Sequence, residues 1–111
     1  MRLNPSWQRE VTVYPPEKRK DGMGAVSTVP GVPSPAAFHV QPGGDTRLLR
    51  EYGLRAARMI TCYAEPGTPV QMGDYVRVYA EDKPDYRVVQ VQRWPHHCRI
   101  DLEEAEVYAG N

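Results

Sequence analysis

Residues 86–94 read YRVVQVQRW and residues 98–104 read CRIDLEE, and this pair decides the fold class. In the second stretch Cys98, Ile100 and Leu102 alternate with Arg99, Asp101 and Glu103, which is the period-two pattern of a half-buried strand. The first sets Val89 and Val91 against Arg87, Gln90 and Gln92 and is broken by Pro95. Just upstream, residues 74–80 (DYVRVYA) put Val76 and Val78 on one face and Tyr75, Arg77 and Tyr79 on the other. The polar segment 81–85 (EDKPD) joins those two strands as a hairpin turn.

Working outward, residues 55–64 read as a strand that runs through Met59, Ile60, Thr61, Cys62 and Tyr63 to the turn Glu65-Pro66-Gly67. Residues 36–41 alternate with Phe38 and Val40 inward, and residues 8–14 do the same with Val11 and Val13. One helix is expected. Asp45 can cap it, Leu48, Leu49 and Tyr52 share a face, and Gly53 stands at the C′ position. Residues 15–35 hold five prolines, three glycines and the basic run Lys18-Arg19-Lys20, and read as a long irregular loop. The expectation is a mainly β chain, a single domain over 1–111. It would be a small antiparallel barrel or sandwich of about six strands, with long loops at 15–35 and 41–56 and at most one short helix.

Composition narrows the function. The chain has 111 residues, 41% of them hydrophobic and 25% charged, enough for one modest core. Its 11 prolines favour short elements and stiff connections. Fourteen basic residues balance fourteen acidic ones, where a protein gripping nucleic-acid phosphates would carry a basic excess. The halves differ: residues 1–58 carry nine Lys/Arg and five Asp/Glu, and residues 59–111 carry five and nine. A two-signed chain suits head-to-tail or layered protein contacts. No basic stretch followed by an apolar run reads as a signal peptide, and no run reaches the roughly 18–20 apolar residues of a membrane span. Synthesis in a reducing cytoplasm is expected, with no membrane partner.

Chemistry finds little footing. His96, His97, Cys98 and Cys62 include good zinc ligands, but neighbouring strand residues point to opposite faces, so at most His96 and Cys98 could share a site. No CxxC or HxxxH spacing supplies four ligands. His39, His96 or His97 could serve a cysteine as base, yet both cysteines fall where a small core residue is expected. Neither Gly22-Met23-Gly24 nor Gly43-Gly44 is followed by Lys-Ser/Thr and a helix, so neither is a phosphate loop. The expectation is no enzyme, no metal and no cofactor. The aromatic residues Tyr75, Tyr79 and Trp94, together with Arg77, are expected on the surface, where such side chains mark a subunit interface.

The order of features resembles the head-closure, or head–tail joining, proteins of tailed bacteriophages and prophages (the stopper or head-completion family). The residues that carry the likeness are Lys20-Asp21-Gly22-Met23-Gly24, Val40-Gln41-Pro42, Tyr52-Gly53, Ala64-Glu65-Pro66, Met72-Gly73-Asp74-Tyr75-Val76, Asp85-Tyr86-Arg87-Val88-Val89-Gln90-Val91 and Trp94-Pro95-His96. The likeness implies a small β-barrel that forms a ring, usually twelve-fold, in the neck of the virion. Such a ring sits under the portal and adaptor, closes the DNA channel of the filled head and offers a platform to a tail-terminator or tail protein. Packaged double-stranded DNA would pass without sequence-specific contact, and assembly would take place in the bacterial cytoplasm. On that likeness the channel loop would carry Asp45, Arg47, Arg50 and Glu51. The docking loop would carry Lys18, Arg19, Lys20 and Asp21. Asp45 to Tyr52 reads as helix, whereas a channel-plugging loop need not be helical. Two alternatives remain open: a tail-terminator or tail-completion ring protein, and an OB- or SH3-like module that binds single-stranded nucleic acid through Tyr75, Arg77 and Tyr79.

Overall fold

The computed structural model describes residues 8–41 and 46–105. Eight strands form. They are β1 (Gln8–Tyr14), β2 (Pro16–Lys20), β3 (Val26–Pro30), β4 (Ser34–Val40), β5 (Met59–Ala64), β6 (Tyr75–Arg77), β7 (Tyr86–Arg93) and β8 (Cys98–Glu104). Six of them close into an antiparallel barrel in the order β1-β4-β5-β8-β7-β6, with β6 returning to β1. The chain is therefore mainly β, as expected. Closure leaves the barrel without a free edge. A helix, α1 (Thr46–Tyr52), runs into a 3-10 helix at Gly53–Arg58. Among the described residues no helix is long and apolar enough to cross a membrane.

The alternating residues supply the core. Val11, Val13, Phe38, Cys62, Val76, Val88, Cys98, Ile100 and Leu102 are all within 2% of complete burial. Val70, from the turn-rich stretch between β5 and β6, joins them at 1%. In β7 the expected phase is wrong at one residue. The pairing with β8 slips between Val88 and Gln90, so Val89 is the extra residue of a bulge. Val88 pairs with Leu102 and Val91 with Ile100, which puts those two, and not Val89, on the inner face.

Four further expectations are corrected. Residues 15–35 are not irregular: β2 and β3 pair from Pro16–Pro30 to Lys20–Val26 as an ordered hairpin. Its turn is held by the Asp21 carboxylate, whose Oδ1 accepts the Met23 and Ala25 amides at 2.8 and 3.0 Å. β5 begins at Met59 rather than Arg55, because the chain first completes the 3-10 helix. The strand expected over 74–80 is confined to Tyr75–Arg77. Beyond it the Asp85 carboxylate takes the amides of Val78, Tyr79 and Ala80 at 2.7–3.1 Å, replacing a strand partner. Finally, Leu49 does not share the buried face of α1: Leu48 is 3% exposed and Leu49 60%. The helix stops as expected at Gly53, in the left-handed conformation at φ 62°. Its proposed cap, Asp45, lies outside the described residues.

Candidate functional site

Two regions of the surface stand out, an arm and a covered patch of barrel wall. The arm is the β2–β3 hairpin. It prolongs the β1–β4 ribbon past an irregular joint, where the Gly31 amide donates to Pro15 O at 2.7 Å. A Cβ on Gly31 would lie 2.8 Å from that same oxygen, so the joint closes this tightly only with glycine. β2 is exposed along its whole length, and only Val29, Pro30 and Gly31 at the root of β3 are half-buried. Lys18 and Lys20 share one face, and Glu17 and Arg19 the other. Among the described residues none of the three cations is in an ion pair. Met23 at the tip and Val32 at the root are 95% and 78% exposed. The expected docking residues Lys18, Arg19, Lys20 and Asp21 thus come together in one projecting element, with Asp21 spent on its turn.

The covered patch lies under α1 on the outer faces of β5, β7 and β8. Asp101 alternates with core residues and so points away from the core, yet it is 1% exposed. Arg47 grips it with both guanidinium nitrogens, Nη2 to Oδ1 at 2.7 Å and Nη1 to Oδ2 at 3.2 Å. The same guanidinium donates to Thr61 Oγ1 at 3.2 Å and to Glu51 Oε2 at 2.9 Å. The Tyr52 hydroxyl sits 2.6 Å from Gln90 Oε1 and 3.0 Å from Asp101 Oδ2. Burial and then the Asp101 charge push its phenol up to about 12. The helix is bolted to the wall at Asp101, Thr61 and Gln90. Of the expected channel residues that are described, Arg47 and the exposed Glu51 pair with each other, and Arg50 is exposed on α1. Further along, Arg55 pairs with Glu103 through Nε and Nη2 at 3.0 and 2.9 Å and holds that carboxyl below its ordinary range.

The four residues expected to form a subunit interface differ in exposure. Tyr75 is buried at 8%, with the Arg87 guanidinium 5.5 Å over its ring. The outward phase was right but a neighbouring side chain covers it. Arg77 is half-buried and donates to Thr12 Oγ1 and to Glu81 O. Tyr79 is 52% exposed beneath Arg9, whose guanidinium lies 4.8 Å from the ring centroid. Trp94 lies at the β7–β8 turn, stacked on His97 at 4.9 Å, with the Arg99 guanidinium 5.3 Å from its ring centroid. His96 is exposed while Cys98 is fully buried, so these two do not meet, and among the described residues no three His, Cys, Asp or Glu side chains are placed to hold a metal. Burial pushes the thiols of Cys62 and Cys98 up, which leaves them poor nucleophiles.

The frame that carried the family likeness also has a local role. Gly73, at φ 94°, lets its amide reach Val88 O at 2.9 Å while the Asp74 carboxylate accepts the Gln71 amide. Asp85 builds the loop after β6, as described above. Asp101, Tyr52, Thr61 and Gln90 were missed. The one signal was an acidic residue set between Ile100 and Leu102, opposite a helix that carries Arg47 and Tyr52 on its inner side. No family model matches this chain, and no curated protein matches it at a significant level.

Proposed function

We propose that this chain is a structural subunit of the neck of a tailed phage or prophage, which assembles as a ring beneath the portal and adaptor and closes the DNA channel. The observation that carries the reading is the pairing of a closed barrel with an arm that nothing in the described chain covers. A lone two-stranded hairpin is marginal in water. An arm of this kind gains order from a neighbour, as a ring subunit would provide. The sequence order of short motifs that resembles the head-closure family supports the same role, and the near-zero net charge suits a channel along which DNA must slide.

In this reading the barrel is scaffold and acts by assembly rather than by catalysis. α1, fixed to the wall by Arg47 and Asp101, presents Arg50 and Leu49, and the 3-10 helix after it presents Leu54, the two leucines being 60% and 94% exposed. These are the side chains that would face the lumen or the next ring. The test is reconstitution on DNA-filled heads that lack their neck protein. Addition of the chain should stop DNA leakage and restore tail joining, with a ring visible under the portal by electron microscopy. Heads that still leak, with no density beneath the adaptor, would end the proposal. A gene position away from portal and tail genes would count against it equally.

A further inference from the structure

The arm and the exposed acidic pair Glu81–Asp82 lie apart along the barrel. β1 pairs with β6 so that Tyr14 faces Tyr75 and Thr12 faces Arg77. The arm leaves at the Tyr14 end. β6 runs away from that end, and just past it Arg9 Nε donates to Val78 O at 2.7 Å before the loop folds back on β6. That loop exposes Glu81 and Asp82 side by side, and among the described residues neither is in an ion pair. Asp85 is occupied by its three amides, and Lys83 is the adjacent cation. Glu81 O accepts from the Arg77 guanidinium, which also bonds Thr12, so the loop lies beside the middle of β1, and the step from Thr12 along the ribbon to Lys18 spans roughly 20 Å. The long dimension of 50 Å, against 29 and 26 Å across, agrees with that separation.

Lys18 and Lys20 therefore cannot reach Glu81 and Asp82 of their own chain. We infer that the arm docks on a second copy of the chain, with the Lys18–Lys20 face of β2 against the Glu81–Asp82 loop of its neighbour. The contact is head-to-tail. Such a contact closes into a ring when its rotation divides a full turn and otherwise runs on as a filament. It rests on the ring reading above and adds the surface that makes the ring. The two pairs of opposite charges set register and speed encounter, while Met23 and Val26 at the arm's end supply apolar area.

The experiment is sedimentation of the full chain from micromolar to millimolar concentration at low and high salt, with two double variants. These are Lys18→Glu/Lys20→Glu and Glu81→Lys/Asp82→Lys, all at exposed positions, each checked for native circular dichroism. Wild type should associate, more weakly at high salt. Each variant alone should lose about tenfold or more in association constant. An equal mixture should recover it, because the arm of one variant meets an unaltered loop on the other. A wild type that stays monomeric throughout overturns the inference, as does a mixture that fails to recover. Variants that associate like wild type overturn it while leaving the ring reading standing, since assembly then uses another surface. If the arm variant loses salt-dependent binding to a duplex oligonucleotide but self-associates normally, the arm serves a polyanion and the inference is wrong.

Discussion

β1–β4 and β2–β3 are consecutive parts of one antiparallel ribbon, with the same backbone ladder, and they behave as opposites. The first half buries Val11, Val13 and Phe38 and closes the barrel. The second half carries Glu17, Lys18, Arg19 and Lys20 opposite Val29, Thr28, Ser27 and Val26, and buries almost nothing. Hydrogen bonds are equally available to both, so they do not decide which half is core. Apolar area withdrawn from water does. The contrast separates the part of the ribbon that makes the fold from the part left over for contact.

The sharpest way to break that contrast is at its centre. Phe38→Ala empties a fully buried site and should cost about 3–5 kcal/mol in denaturant unfolding, with the whole barrel lost together. A change much smaller than this would mean that the two halves differ less than their burial indicates. Next is the bolt under α1. Asp101→Asn leaves Arg47 facing a neutral amide and should cost about 2 kcal/mol, less than a fully buried pair because Arg47 is 22% exposed. Amides of α1 should then exchange faster while those of β8 stay protected.

Alkaline titration comes third. The phenols of Tyr52 and Tyr86 are both raised from 10 to about 12, each first by burial. The folded state therefore holds these protons longer than the unfolded state does. Their contribution to stability is complete below pH 10 and is lost as pH climbs towards 12. Tyr52→Phe should shrink that alkaline loss and remove one late-ionising tyrosine from the ultraviolet titration. Two mild changes then probe the arm. Gly31→Ala forces Pro15 O away, so arm amides should lose exchange protection while the denaturation midpoint of the barrel barely moves. Arg19→Ala, at a fully solvated position, should alter stability by no more than about 0.5 kcal/mol.

Much of the barrel was legible because strands that are half buried write their alternation directly into the sequence. β1, β4 and β8 fell where alternation placed them, with Val11, Phe38 and Ile100 inward. β7 was legible in type and wrong in phase, since a bulge at Val89 shifts the pattern by one and nothing local marks it. Tyr75 shows the complementary failure. Its outward direction followed from period two, yet it is 8% exposed, with the Arg87 guanidinium of the adjacent strand 5.5 Å from its ring. The arm was hidden for another reason: an exposed hairpin has no apolar face to alternate, so Pro, Gly and charge made it look like loop.

By itself the sequence determined the β class, the inward residues of the regular strands, the short helix ending at Gly53, and the gathering of Lys18, Arg19 and Lys20 in one segment. Only the tertiary structure decided that the strands close into a barrel, that Asp101 on an outward position is buried by α1, and that the basic arm projects away from the acidic loop. Local chemistry fixes which way a side chain points along its own strand. What covers it, and how far it lies from another charge, is set by residues distant in the chain, and those distances exist only once the barrel has closed.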